Sequence, residues 1–352
     1  MGKEWLIYAL GGGWGHLNRA IALGRIATHS RAVTILTNSP YVPYVQPYLQ
    51  ATVNRRCFPL TLHSIAAEAS FEDTCDRIQQ WVLRRTWQCA IIDTFPRGLG
   101  GELVDLRRQS SSFPWFLVHR DLNPDYVRAK ALPDFVRQFY QAVFIPGDGA
   151  PDNRNLTNCN PSNDESIDRS TLPLANLPNV YWTAPWLLRS ANELPALEKS
   201  QRPNAIVCAA GQASELAFFG CLSRQLHCAL PHAIVRCLAP QCPPSCPPEI
   251  WISHWPGIEV LQMADVVIGG AGYNTVHECA ALGIPLVAFA FKRLYDRQSR
   301  RAQKWGHPVQ TIEQAIATTQ RLLERNTRTT PFKHAYQNGA ISAVSQIEQL
   351  LR

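Results

Sequence analysis

No apolar run in this 352-residue chain approaches the roughly 20 residues that a bilayer-spanning helix requires. The apolar segment at residues 5–10 is too short for the core of a secretion signal and leads straight into glycines, so it reads as a first buried strand. Gly2 lacks the downstream hydroxyl residue that N-myristoylation wants. The expected location is therefore cytoplasmic, with peripheral contact at the inner membrane face left open. Paired C-x-x-C spacing is also absent from the 11 cysteines. The closest group, Cys237, Cys242 and Cys246, lies in a proline-rich stretch without a suitable histidine pair, so buried, reduced thiols and no metal are the expectation. Low-complexity tracts and short-period repeats are missing as well. Hydrophobic residues at 46% against 17% charged exclude a disordered chain. A net charge of +7 favours anionic partners without choosing among them. Neither a basic helix nor an RNA-binding motif with interleaved aromatics is present, so nucleic acid is not an expected partner.

What is present is an alternation of apolar strands and amphipathic helical patterns. Strands are expected at residues 5–10, 32–37, 90–93, 115–119 and 142–146, with a last extended piece at 181–186. A polar segment over 149–179 reads as a long loop. The logic then repeats, with strands at 205–209, 233–238, 250–253, 265–268 and 285–289. Such alternation implies βαβ units and parallel sheets buried on both faces. The length suits two α/β domains: residues 1–186, a linker at 187–203, and residues 204–334. The helical pattern at 335–351 closes the chain.

Two strand-to-helix turns carry the candidate chemistry. The first reads Gly11-Gly12-Gly13-Trp14-Gly15-His16. Glycines there let backbone amides and a positive helix end approach a ligand closely. A dinucleotide fingerprint fails, because its last glycine position holds His16 and the second strand ends without an acid. A Walker loop fails for want of Gly-Lys-Ser/Thr. His16 sits where ligands of open α/β sheets bind, beyond the carboxyl ends of the strands, and a helix N-terminus favours its neutral form. Asp93 closes the apolar strand that this winding places beside the first, and could orient the imidazole. Read singly, each residue has an alternative: His16 as a local cap, Asp93 as the cap of the next helix.

The second turn, Gly269-Gly270-Ala271-Gly272-Tyr273-Asn274-Thr275, offers amides, a hydroxyl and a carboxamide suited to a diphosphate. Glu278, one helical turn on, could accept both hydroxyls of a ribose. Thr275-x-x-Glu278 also fits a capping box. Farther on stand Gly283-Ile284-Pro285 and Asp296-Arg297-Gln298.

Taken together, these motifs resemble the donor-site signature of GT-B glycosyltransferases. The likeness is to the MurG group and the wider UDP-glycosyltransferase superfamily, whose first turn likewise runs from glycines into a histidine. The resemblance implies two Rossmann-like domains facing across a cleft, with the last helix crossing back to the first domain. It implies an inverting, metal-independent transfer from a nucleotide sugar, UDP-linked in most members, with no cofactor. His16 would be the general base and Asp93 its orienter. Gly13 and Gly15 would face the donor, as would Gly211 from the loop 210–212. Gly270, Gly272, Asn274 and Thr275 would hold the phosphates, Glu278 the ribose, and Asp296 with Gln298 the sugar hydroxyls. The acceptor is open, lipid-linked or small. Residues 41–48, aromatic and apolar, are expected as a packed loop–helix connection, with a patch that holds a lipid or a membrane surface as the alternative. The basic run at 292–304 is expected as a solvated helix face, with phosphate or anionic lipid as the alternative. A nucleotide-sugar hydrolase on the same fold and a non-catalytic binding subunit are the rival readings.

Overall fold

The computed structural model describes residues 4–51, 57–65, 70–109, 113–147, 172–196, 200–211, 213–325 and 336–352. Most of the long polar segment expected as a loop, residues 148–171, lies outside the described residues, as does Gln212. The chain forms two compact units, Met1–Leu188 with Asn338–Arg352, and Arg189–Gln337.

The first unit is built on seven strands: β1 (Trp5–Ala9), β2 (Val33–Thr37), β3 (Leu60–Ser64), β4 (Cys89–Asp93), β5 (Trp115–Val118), β6 (Ala142–Pro146) and β7 (Val180–Thr183). Their order is β3-β2-β1-β4-β5-β6-β7. Every neighbouring pair is parallel. β1, β2, β4, β5 and β6 are buried along their whole length, which is why they read as unbroken apolar runs. β3 was not expected. It is an edge strand, Leu-Thr-Leu-His-Ser, only half buried and too polar to announce itself. Winding runs from β1 outward through β2 to β3, then reverses through β4, so the switch point falls between β1 and β4.

Residues 42–48 lie in a helix, Val42–Ala51, with Tyr41 in the turn before it. That helix is tied to the first glycine turn through aromatic rings: Trp14 stacks on Tyr41 at 4.0 Å between centroids and meets Tyr44 edge-on at 5.6 Å.

The helix Gly339–Leu350 belongs to this unit and buries Ala340, Ala343, Val344 and Ile347. Asn338 seats it. The Asn338 carboxamide oxygen accepts from the amides of Ala340 (3.1 Å) and Leu187 (3.2 Å), and its nitrogen donates to the Leu187 carbonyl at 2.7 Å. Gly339 lies directly on the Ala184 carbonyl, where a Cβ would come within 1.8 Å of the oxygen.

The second unit carries six parallel strands: β8 (Asn204–Cys208), β9 (Ile234–Leu238), β10 (Trp251–Ile252), β11 (Val266–Gly270), β12 (Leu286–Phe289) and β13 (His307–Val309). Their order, β10-β9-β8-β11-β12-β13, puts the switch point between β8 and β11. β13, three residues at the edge, was also missed. The core packs Phe219, Leu222 and Leu226 of the helix Ala213–Ala229 against Val207, Ile268 and Phe289 of the sheet. Full burial of a ring such as Phe219 stabilises by roughly 1.5–3 kcal/mol. The described cysteines are all free thiols. Among the described residues no helix is long and apolar enough to cross a membrane.

Candidate active site

At the end of β1 the chain turns sharply through Gly11 (φ +149°) and Gly12 (φ +70°), conformations that L side chains rarely adopt. Asn38, just past β2, fixes the turn: its carboxamide oxygen accepts from the amides of Gly11 (2.9 Å) and Gly12 (3.0 Å). Those two amides are thereby engaged. Gly13 is the N-cap of the helix Trp14–Ala27 and supplies no side-chain cap, and Gly15 lies in the helix's first turn.

His16 is carried in that same first turn, and Asp93 ends β4 across the switch point. His16 Nδ1 and Asp93 Oδ2 are 2.6 Å apart. Neither residue caps a helix, so both local alternatives fall away. Asp93 is 2% exposed and is also gripped by Arg19, one helical turn beyond His16 and 1% exposed. Arg19 Nε donates to Oδ1 at 3.1 Å and Nη2 to Oδ2 at 2.7 Å. Burial would raise the Asp93 pKa, but the Arg19 guanidinium and the His16 ring outweigh it and hold the carboxyl well below the usual carboxylate range. An ionised Asp93 accepts the proton on His16 Nδ1. Nε2 then carries the lone pair, without a hydrogen bond to any described residue. Burial is also the largest influence on His16 and lowers its pKa below the ordinary 6.5. Asp93 opposes that shift, and the charges of Arg19 and Arg120 add to it. The ring of Phe95 stacks on the imidazole at 5.5 Å. Thr94, between Asp93 and Phe95, holds φ at 74°, an outlier for a β-branched residue of the kind that concentrates at functional sites.

In the second unit, the carboxyl ends of β8, β11 and β12 bring three predicted segments to one edge. The helix Tyr273–Leu282 starts from Gly272 as N-cap, so Thr275 is its third residue and the capping-box alternative does not hold. No atom lies within 4 Å of where a Cβ on Gly272 would stand, and Asn274 and Thr275 are half-buried beside it. Gly270 faces the Phe291 ring, 3.5 Å from a would-be Cβ. Glu278 is 7% exposed, with no hydrogen bond or ion pair to any described residue. Burial pushes its carboxyl up to about 8.

Three other predicted residues are already engaged inside the unit. Gly211 (φ +138°) lies against the Glu215 carboxylate, which pairs with Arg293 at 2.5 Å. Asp296 pairs with Arg301 at 2.5 Å. Gln298, buried, uses its carboxamide oxygen to accept from the Phe291 amide at 3.0 Å.

The basic run at 292–304 is not the solvated helix face expected of it. Only Gln298–Trp305 is helical, and Arg301, 3% exposed, turns inward to donate to the Ala271 carbonyl behind the second glycine turn. Arg19, Asn38, Arg120 and Arg301 are the residues that sequence reasoning missed. The available signal was Asn18-Arg19, which begins two residues past the histidine.

No protein-family model matches the chain, and no curated protein matches it. Solved structures do. The spinosyn forosaminyltransferase SpnP superposes with a TM-score of 0.63 at 12% identity, over 99% of both chains. The glycosyltransferase SsfS6 of Streptomyces sp. SF2575, complexed with thymidine diphosphate, gives a TM-score of 0.59 at 12% identity over 99% of both chains. A UDP-glucosyltransferase from Polygonum tinctorium that glucosylates indoxyl gives 0.57 at 12% identity, over 100% of this chain and 99% of the other. The fold of the chain is thus GT-B, two Rossmann-like α/β units in tandem, the fold those glycosyltransferases share.

Proposed function

We propose that the protein is an inverting glycosyltransferase that moves a sugar from a nucleoside diphosphate sugar to an acceptor hydroxyl, with His16 as the general base. The observation that carries this reading is the 2.6 Å contact between His16 Nδ1 and Asp93, which fixes the tautomer and leaves Nε2 to take a proton. That contact lies at the switch point of a fold shared with SpnP, SsfS6 and the indoxyl glucosyltransferase.

In the proposed reaction, Nε2 removes the acceptor's hydroxyl proton as its oxygen attacks the anomeric carbon. The bond to the diphosphate breaks on the opposite face, so the configuration inverts. The leaving diphosphate gathers charge that the amides at the start of the helix Tyr273–Leu282 stabilise, with Arg301 behind the turn adding a fixed cation. Glu278 accepts from the ribose, a role that suits a buried carboxyl with no protein partner. Gln298 reaches the sugar hydroxyls through its NH₂ group. Asp296 is assigned to the same hydroxyls while held by Arg301. Gly13 and Gly15 are assigned to donor contact. UDP is the proposed nucleotide, and thymidine diphosphate is the comparison that the SsfS6 complex invites.

The test supplies UDP- and TDP-sugars with a panel of alcohol acceptors and follows both glycoside and free sugar by mass spectrometry. Glycoside of inverted configuration is the expected product, lost in His16→Ala while nucleotide binding persists. Rapid release of free sugar with every acceptor would replace transfer by hydrolysis. An unchanged rate in His16→Ala would remove His16 from the chemistry.

A further inference from the structure

An imidazole held 2.6 Å from a buried carboxylate is the geometry of a resting ion pair, and a protonated histidine cannot serve as a base. Within the two side chains alone, a neutral His16 beside Asp93⁻ leaves one uncompensated negative charge, whereas protonating His16 makes the pair neutral. Burial at 2% exposure of Asp93 makes that difference matter. Arg19 reverses the count. With its guanidinium included, the cluster is neutral when His16 is neutral and carries a net positive charge when His16 is protonated.

The geometry of Arg19 fits this task. It is 1% exposed and reaches both carboxylate oxygens, Nε to Oδ1 at 3.1 Å and Nη2 to Oδ2 at 2.7 Å, so the carboxylate plane is fixed by a two-point grip. Asp93 Oδ2 is therefore shared between His16 Nδ1 and Arg19 Nη2. The hydroxyl of Thr94 lies 3.4 Å from the same Nη2 and 3.3 Å from Oδ1. The charged groups that face the imidazole are Asp93 at the end of β4, Arg19 on its own helix, and Arg120 from the segment after β5.

We propose that Arg19 is a positioning residue that clamps Asp93 as a fixed anion and keeps His16 a neutral base instead of a resting imidazolium. The assignment rests on His16 acting as the base under the proposed function, but it makes a claim about the resting protein that can be read without turnover. Arg19 also makes the imidazolium formed during transfer short-lived, because the protonated cluster carries a surplus positive charge.

The experiment is NMR titration of histidine-labelled protein, with His16 assigned by its loss in His16→Ala. In the wild type, His16 is expected to be neutral at pH 7 with the proton on Nδ1. Arg19→Gln is expected to raise its titration midpoint by about one pH unit or more, a tenfold change in the protonation equilibrium. Arg19→Lys, which keeps the charge and loses the two-point grip, is expected to fall between them. Where transfer is measurable, Arg19→Gln loses rate at pH 7 and regains most of it near pH 9, whereas mere structural damage lowers the rate at every pH. A wild-type His16 that is imidazolium at pH 7 overturns the proposal whatever the variants do. So does a folded Arg19→Gln whose His16 titrates as in the wild type. If no transfer is found but the midpoint moves as expected, the proposed function fails and the role of Arg19 stands.

Discussion

Gly11 and His16 are packed so closely that a Cβ added to the glycine would lie 2.5 Å from the imidazole Nε2, the nitrogen assigned to proton transfer. The glycine is thus a seat for the imidazole as much as a turn residue. Gly11→Ala must push the ring off Asp93 and also strain a backbone at φ +149°. The expected result is a folded protein, less stable by about 1–3 kcal/mol, with transfer slowed on the order of 10²-fold by misplacement of the base. Circular dichroism melts and steady-state rates check this; a rate within twofold of wild type would remove the ring's position from the argument.

Asp93→Asn keeps the shape of the pair but cannot stabilise the imidazolium that transfer creates. Transfer should fall by about 10²–10⁴-fold with nucleotide affinity unchanged. The pH dependence has a definite sign. The His16 pKa lies below 6.5, so the base is already free at neutral pH. At saturating donor, kcat should be flat around pH 7 and decline only in acid, with a midpoint under 6.5. A midpoint at or above 7 would contradict the assignment of His16.

Much of this arrangement was legible because buried parallel strands leave a strong trace. Cys-Ala-Ile-Ile-Asp and Ala-Val-Phe-Ile-Pro are apolar on both faces, and strand order then places Asp93 beside β1. Edge strands leave a weak trace, since half of each faces water; β3 and β13 were lost for that reason. Glu278 was legible from its spacing to the glycines. Arg19 and Arg301 were not, because an arginine in a helical pattern reads as solvated until its buried partner from elsewhere in the chain is known, Asp93 for Arg19 and the Ala271 carbonyl for Arg301. The two are alike in the structure: each is buried and each holds an aspartate assigned to the chemistry.

Asn338 predicts a stability effect separate from chemistry. Its side chain caps the final helix and pairs with both polar groups of the Leu187 backbone. Asn338→Ala removes the cap and leaves a buried amide and carbonyl without partners, costing about 2–3 kcal/mol. Hydrogen exchange should quicken across Gly339–Leu350 before it does in β1 or β4. Uniform exchange throughout the first unit would show that this helix is not separately pinned.

Glu278 links nucleotide binding to pH. Its carboxyl titrates near 8 in the empty protein against 4.5 ordinarily, so at neutral pH the folded chain holds a proton that the unfolded chain has released. Stability contributed by this group is therefore lost as pH rises from about 4.5 toward 8, and Glu278→Gln should melt higher than wild type at pH 8 with the gap narrowing at pH 5. Ribose hydroxyls donating to the carboxyl favour its ionised form. Binding of UDP should thus expel a proton below pH 8, and affinity should climb with pH by at most about tenfold per unit until it levels near 8. Calorimetry in two buffers of different ionisation enthalpy measures that proton directly. Thymidine diphosphate, one ribose hydroxyl poorer, should bind about ten- to a hundredfold more weakly and expel less, since a hydrogen bond to a charged group is worth about 1.5–3 kcal/mol. Affinity that is flat with pH and equal for the two nucleotides would place the ribose elsewhere and leave the buried carboxyl without its proposed ligand.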